Sequence, residues 1–177
     1  MGQPETIELS QADFITIDTI GPPGQRTFYL QAAQGEMLIT LIIEKMHAAA
    51  LSIAIGNILK QLGEIDEPEP ASLDLIQPVE PLFRVGKLGL GYNHVQDMLV
   101  VVAEELVTEE GQQAARVHIW ASPAQMAALA RKAATAVAAG RPICPLCREP
   151  MDPGEKHVCV RGNGRKRLYE PDEDDRA

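Results

Sequence analysis

The amino-acid sequence predicts an α+β protein: an antiparallel sheet of about six strands that carries two helices, in the order βββα-βββα. Two blocks of three strand-like segments each lead into a segment with helical periodicity, and an acidic connection with prolines separates the blocks. The 177 residues suit one domain with small appendages, and 45% hydrophobic residues suffice for a core. The repeated order is compatible with a duplicated unit or with ordinary α+β alternation, because sequence identity between the halves is slight.

The first block predicts strands over residues 13–20, 26–32 and 37–43. The first of these is rich in β-branched residues and ends at a Gly-Pro-Pro-Gly turn. Residues 26–32 alternate between apolar and polar side chains, which indicates a strand with one buried face. Residues 37–43 are almost continuously apolar, and we therefore expect a central strand there.

Residues 44–62 predict the first helix, which Gly63 ends. Apolar side chains recur at helical spacing and form one face: Leu51, Ile55, Ile58, Leu59 and Leu62. The following residues 64–81 carry six acidic side chains and four prolines. Because proline interrupts helices and sheets, this segment is expected to be an exposed connection without regular structure.

The second block predicts strands over residues 82–92, 98–107 and 115–120. The first of these contains three glycines: Gly86, Gly89 and Gly91. No helix follows them directly, so they indicate a β-bulge or a close backbone approach and not a nucleotide-binding loop.

The second helix has clear end signals in the sequence. Ser122 suits the N-cap, Pro123 the first helical position, and Gln125 can complete a capping box. Gly140 and Pro142 end the helix. We therefore expect residues 1–140 to form the α+β domain.

The charge of the chain limits its partners. Acidic residues outnumber basic ones by 25 to 16, which gives a net charge of −9 and disfavours general binding to polyanions. No apolar run approaches the roughly 20 residues that a membrane helix needs, and the N-terminus resembles no secretion signal. The expected location is the cytoplasm. There, three clustered cysteines indicate metal binding or redox chemistry and not disulfides.

The cysteines and one histidine have metal-ligand spacing: Cys144, Cys147, His157 and Cys159. Three thiolates and an imidazole suit Zn²⁺, and four protein ligands fill its tetrahedral shell, so a structural zinc knuckle over residues 141–164 is predicted. The alternatives are a redox pair at Cys144 and Cys147, or inert thiols. The knuckle type stays open because the second pair is closely spaced.

A basic run follows the knuckle and opens a tail over residues 165–177 that is expected to be flexible. Its candidate contacts to a ligand or partner are Arg161, Asn163, Arg165, Lys166 and Arg167. These side chains suit phosphate groups. The alternative is a solvated tail that pairs with the acidic residues 170–175 or with the acidic connection. Scarce aromatic residues weaken a nucleic-acid interpretation.

Several motifs together resemble a bacterial family of uncharacterised conserved proteins, which is catalogued as a domain of unknown function. The resemblance covers almost the whole chain. The segments that resemble the family are residues 83–86, 91–92, 122–125, 140–142, 144–147, 152–153, 157–159 and 161–164. It implies no activity, but it implies co-occurrence with proteins that resemble a histidine phosphatase and a phosphatidylinositol kinase. Family members tend to have an aromatic residue where this chain has Arg165.

Three functions remain open at this point. The leading hypothesis is a non-enzymatic, zinc-stabilised module that binds another protein or a phosphate-bearing ligand. The second is a nucleic-acid-binding accessory protein that uses the same basic run. The third is an enzyme with a site on the sheet face near residues 89–94, although His47, His94 and His118 have no partner at triad spacing.

Overall fold

The structure is a computed structural model, and it describes residues 5–22, 24–65, 72–140, 144–149, 151, 157–161 and 168–169. The chain divides into two compact units. Met1–Ile20 and Thr27–Val137 form the first unit, and Gly21–Arg26 and Ala138–Ala177 form the second. The first unit contains the large sheet, and the second contains the cysteine cluster.

The first unit is a seven-stranded sheet with two helices. The order across the sheet is β1-β7-β6-β5-β4-β3-β2. The strands are β1 Thr6–Leu9, β2 Phe14–Ile20, β3 Thr27–Gln34, β4 Met37–Ile43, β5 Phe83–Asn93, β6 Met98–Glu105 and β7 Arg116–Ala121, and the helices are α1 Lys45–Leu62 and α2 Pro123–Ala138. The α+β class with two helices is confirmed.

The sheet is mixed, so the prediction of an antiparallel sheet of about six strands was wrong in count and direction. β4 pairs with β5 in parallel, through Leu41↔Phe83 and Ile42↔Arg84. The reason is that α1 and the acidic connection carry the chain back across the sheet, as parallel pairing requires. β1 is the additional strand, and it pairs with β7, also in parallel. Its four residues are too few for a clear strand pattern.

The sheet must curl, because its two edge strands are neighbours along the chain. Seven flat strands spaced about 4.8 Å apart would place the edges about 29 Å apart. Only residues 10–13 join β1 to β2, and that segment spans at most about 18 Å. Ala12 N donates to Trp120 O in β7 at 2.8 Å, and Asp13 N donates to Ala33 O in β3 at 2.8 Å. The linker therefore bridges both sides of the curled sheet.

One apolar core fills the first unit. Side chains from four strands are at most 1% exposed in it: Ile17, Leu30, Val101 and Ile119. Helix α2 contributes Met126 and Leu129, and α1 contributes Ala48, Leu51 and Ile55 on one face. The first unit thus has a complete core of its own.

Two local predictions are confirmed. Ser122 N donates to Gln125 Oε1 at 2.9 Å and Gln125 N donates to Ser122 Oγ at 3.2 Å, which completes the capping box of α2. The pairing of β5 with β6 shifts register between Val85 and Lys87, so Gly86 lies at a bulge. A Cβ atom at Gly86 would lie 2.9 Å from Leu106 Cα, which explains the glycine.

The described part of the acidic connection crosses a buried polar row of the sheet. Thr16, Gln31 and Thr40 lie opposite one another on β2, β3 and β4 and are at most 2% exposed. Gln31 Nε2 donates to Ile76 O at 3.0 Å, and Ile76 N donates to Gln31 Oε1 at 2.7 Å. Thr16 Oγ1 donates to Leu73 O. These bonds hold residues 72–78, which we term the strap. None of the described helices has the length and apolar character to cross a membrane.

Candidate metal centre

Three thiols and one imidazole converge in the second unit. The sulfur atoms of Cys144, Cys147 and Cys159 and a ring nitrogen of His157 all lie within 4.8 Å of one another. Cys147 Sγ lies 3.1 Å from His157 Nε2. Among the described residues, this is the one group of three or more histidine, cysteine or acidic side chains with metal-ligand geometry.

A tight turn brings the first two cysteines together. Cys144 N donates to Glu149 O at 3.0 Å, and Arg148 N donates to Cys144 O at 2.9 Å. These two bonds close the loop on itself. Arg148 has a φ of 60°, in the left-handed region that glycine occupies most easily. The turn therefore depends on one residue in a conformation that costs energy.

A short hairpin presents the other two ligands. β8 His157–Val158 pairs with β9 Leu168–Tyr169 in antiparallel fashion, through His157↔Tyr169 and Val158↔Leu168. Side chains alternate along an extended strand, so His157 and Cys159 fall on one side while Val158 is 53% exposed on the other. β9 lies within residues 165–177, for which the sequence predicts a flexible tail.

The cluster has a small apolar shell. Cys144 and Cys159 are 0% and 4% exposed, and Met151 is buried with them. Cys147 and His157 are half-buried. Partial exclusion of water strengthens electrostatic attraction between a cation and thiolates, so the site suits a bound metal ion.

Backbone amides prepare one cysteine to ionise. A hydrogen bond from the Cys147 amide to the sulfur lowers the pKa of Cys144 to about 6, against the opposing effect of burial. The Leu146 amide and the thiols of Cys147 and Cys159 add to the lowering. The thiolate is the form that binds metals.

The pKa of the second cysteine, Cys147, shifts in the opposite direction. The Glu149 amide lowers the pKa of Cys147, but burial and the neighbouring Cys144 and Cys159 outweigh it, so the net pKa is raised. Adjacent thiols resist sharing several negative charges without a cation. The arrangement thus favours a positive ion among the sulfurs.

The spacing fits one ion. A tetrahedral zinc ion with bonds of about 2.3 Å to sulfur and about 2.0 Å to nitrogen keeps its ligand atoms roughly 3.6–3.8 Å apart. The observed separations, up to 4.8 Å, need only small side-chain adjustments to reach these values. The four residues can therefore hold one metal ion.

Most of the predicted basic run falls outside the described residues. Arg161 is described and exposed. Asn163, Arg165, Lys166 and Arg167 lie outside the described residues, as do the acidic residues 170–175.

A cavity of about 330 Å³ in the first unit lies close to residues 89–94, where the third hypothesis places a site. Its lining comes from α1 and the residues after it, from both ends of the β5–β6 turn, and from the start of α2: Leu62, Glu64, Ile65, Tyr92, Asp97, Ser122, Pro123 and Ala124. Tyr92 Oη donates to Asp97 Oδ1 at 2.8 Å, and this bond raises the pKa of Tyr92. The described lining has two hydroxyl groups, on Tyr92 and Ser122, and two carboxylates, on Glu64 and Asp97.

Comparison with known proteins gave one match. A family model described as "Protein of unknown function (DUF3090)" matches residues 7–159. The matched region ends at Cys159 and so includes all four clustered donors, whereas Arg161–Arg167 lie beyond it. No curated protein and no solved structure matches the chain.

Proposed function

We propose that this chain, which belongs to the DUF3090 family of proteins of unknown function, is a non-enzymatic binding module that one zinc ion stabilises. Cys144, Cys147, His157 and Cys159 are the zinc ligands. The observation that carries the proposal is the convergence of their four donor atoms within 4.8 Å. In the proposal, residues 1–140 form the α+β domain and residues 141–164 the zinc knuckle.

The donor set favours zinc over harder cations. Mg²⁺ and Ca²⁺ prefer oxygen ligands, whereas thiolate and imidazole suit Zn²⁺. Four protein ligands fill a tetrahedral shell and leave no position for a reactive water, which supports a structural role. Thiolate ligands also persist best in a reducing compartment, which supports a cytoplasmic location.

The proposed binding surface is the basic run that joins β8 to β9. His157 and Cys159 hold its first end, and the pairing of β9 with β8 holds its second. A zinc ion bound at the ligands would therefore hold the first residue of the run, Arg161, near the metal centre; Asn163, Arg165, Lys166 and Arg167 follow it in the sequence. Guanidinium groups bind phosphate through paired, charge-assisted hydrogen bonds. The proposed partner is a protein or a ligand that bears phosphate.

The first experiment measures metal content. The full chain, purified without a metal-affinity tag, should contain one zinc per chain by plasma mass spectrometry. His157→Ala and Cys147→Ala should reduce this content strongly. His118→Ala is the matched control, because His118 lies on β7 of the other unit. Full zinc content in both ligand variants would refute the site.

The second experiment tests the basic run. We expect a fluorescent inositol polyphosphate to bind the zinc-loaded chain and to bind more weakly when Arg165, Lys166 and Arg167 are replaced by alanine. Arg131→Ala, an exposed position on α2, is the control. The alternative of nucleic-acid binding predicts that single-stranded RNA binds better than the phosphate probe and is released steeply by salt. If none of these probes binds, a pull-down with and without residues 141–177 distinguishes a partner of the tail from a partner of the sheet.

A further inference from the structure

The outer face of α1 is apolar and exposed. No Asp, Glu, Lys or Arg occurs between Lys45 and Lys60. Met46 is 72% exposed and Ile53 is 66% exposed, on the side of the helix opposite the buried Leu51 and Ile55. A surface helix normally carries polar side chains on the face that points away from its core. The outer face of α1 therefore has the composition of an interface.

The same face has a coiled-coil spacing. Met46, Ala49, Ile53, Gly56 and Lys60 follow one another at alternating steps of three and four residues, which is the a/d pattern of two packed helices. Large and small side chains alternate along this row of five residues, which we term the seam. Facing helices interdigitate best when large residues on one meet small residues on the other.

Gly56 is not explained by the fold of the single chain. A Cβ atom at this position would meet nothing within 4 Å. Glycine in the middle of a helix costs about 0.5–1 kcal/mol relative to alanine. A helix that approaches closely from outside would give a reason for the missing side chain.

We propose that α1 forms a two-fold interface with α1 of a second copy of this chain, with the two helices antiparallel. One register places Ile53 opposite Ala49 of the second copy and Met46 opposite Gly56 of the second copy. The two-fold axis repeats both contacts, so every large residue of the seam meets a small one. A single helix thus supplies both complementary halves of the interface, as a symmetric dimer requires.

Charge supports the same arrangement. The chain carries a net charge of −9, so copies repel each other at most surfaces. The outer face of α1 contains no acidic side chain between its ends. In the proposed register, Lys60 lies within one helical turn of Glu44 of the second copy, at both ends of the interface. The Glu44 side chain is 53% exposed although it pairs with Arg84 of its own chain, so it is accessible to Lys60 of the second copy.

Sedimentation equilibrium of the full chain, from low micromolar to several hundred micromolar, tests the proposal. An interface confined to one helix pair is small, so the mass should rise with concentration from 19.2 kDa towards twice that value. Ile53→Glu and Gly56→Leu should remain monomeric throughout this range. Gln61→Glu adds the same charge at an exposed position off the seam and should dimerise like the wild type.

Thermal unfolding separates interface loss from misfolding. Leucine is a better helix former than glycine, so the Gly56→Leu monomer should be at least as heat-stable as the wild-type monomer. A wild-type mass of one chain at every concentration would overturn the proposal. So would dimerisation of either variant at the wild-type level, or a Gly56→Leu chain that is less stable as a monomer.

Discussion

Cys147 Sγ lies 3.1 Å from His157 Nε2, although ten residues separate the two along the chain. The first belongs to the turn that follows Cys144 and the second to the β8–β9 hairpin. Two local structures with independent hydrogen bonds therefore bring their side chains to one point. This convergence motivates each prediction about the metal centre.

Removal of the metal should affect the two units differently. We expect a chelator at neutral pH to increase amide hydrogen exchange over residues 141–160, because the described residues of that segment form a small apolar cluster of Cys144, Met151 and Cys159. The strands and helices of the first unit should keep their protection, since a separate core stabilises them. Exchange mass spectrometry with and without chelator checks this. Unfolding of both units on zinc loss would contradict the proposed division.

The left-handed residue of the turn should control metal affinity. Arg148 has a φ of 60°, a conformation that β-branched residues strongly disfavour. We expect Arg148→Val to weaken zinc binding by about tenfold, which corresponds to about 1.4 kcal/mol. Arg148→Gly also removes the charge but suits the conformation, so its affinity should equal or exceed the wild type. Competition with a chromophoric chelator measures both, and equal losses in the two variants would point to charge and not backbone conformation.

Gln31 should anchor the strap. Its carboxamide accepts from Ile76 N and donates to Ile76 O, and it also donates to Thr40 Oγ1 at 3.0 Å. Gln31→Leu removes these partners and should lower the free energy of unfolding by about 1–3 kcal/mol. Chemical denaturation measures the change, and faster exchange of the Ile76 amide should accompany it. Gln112→Leu, at an exposed loop position, should change the free energy of unfolding little. A Gln31→Leu protein of wild-type stability would show that the strap contributes nothing.

The ion pairs of Lys132 predict how the stability of the folded state depends on pH. Its Nζ lies 2.8 Å from Asp18 Oδ2 and 3.5 Å from Asp74 Oδ1. Burial lowers the pKa of Lys132, but the two carboxylates outweigh it and raise the pKa above 10.5. Hydrogen bonding to Ser72 and the charge of Lys132 lower the pKa of Asp74 below 3.8.

Both pKa shifts stabilise the folded state between about pH 5 and pH 10. The contribution of Asp74 disappears as the pH falls through its lowered pKa, and that of Lys132 disappears as the pH rises through its raised pKa. Lys132→Met should therefore lower stability in this window, by about 1 kcal/mol or less for loss of the Lys132–Asp18 pair. The difference from the wild type should shrink below about pH 3.5. A difference that stays constant across the acid range would exclude the ion pairs as its cause.

Local signals in the sequence predicted most elements of the fold. Strands β2 to β7 and both helices lie within two residues of their expected bounds, because side-chain periodicity and the Ser122–Gln125 capping box act over short distances. Pairing between distant segments was not predictable in the same way. The parallel contact of β4 with β5 and the addition of β1 depend on how the whole sheet curls.

At the metal centre too, local features were predictable from the sequence and pairing between distant segments was not. The spacing of Cys144, Cys147, His157 and Cys159 predicted the cluster, since ligand spacing is a local property. The pairing of β8 with β9 was not predicted, and the cavity beside Tyr92 was anticipated only as a site of unknown shape near residues 89–94. Both combine residues whose relation depends on folding, and no short motif contains them.

X-ray absorption at the zinc edge tests the central claim most directly. On the full chain loaded with one zinc ion, we expect four ligand atoms: three sulfurs at about 2.3 Å and one nitrogen at about 2.0–2.1 Å. His157→Cys should convert the signal to four sulfurs, whereas His94→Cys, at an exposed position in the first unit, should leave it unchanged. Oxygen ligands in the wild type, or fewer than three sulfurs, would contradict a closed site made by Cys144, Cys147, His157 and Cys159.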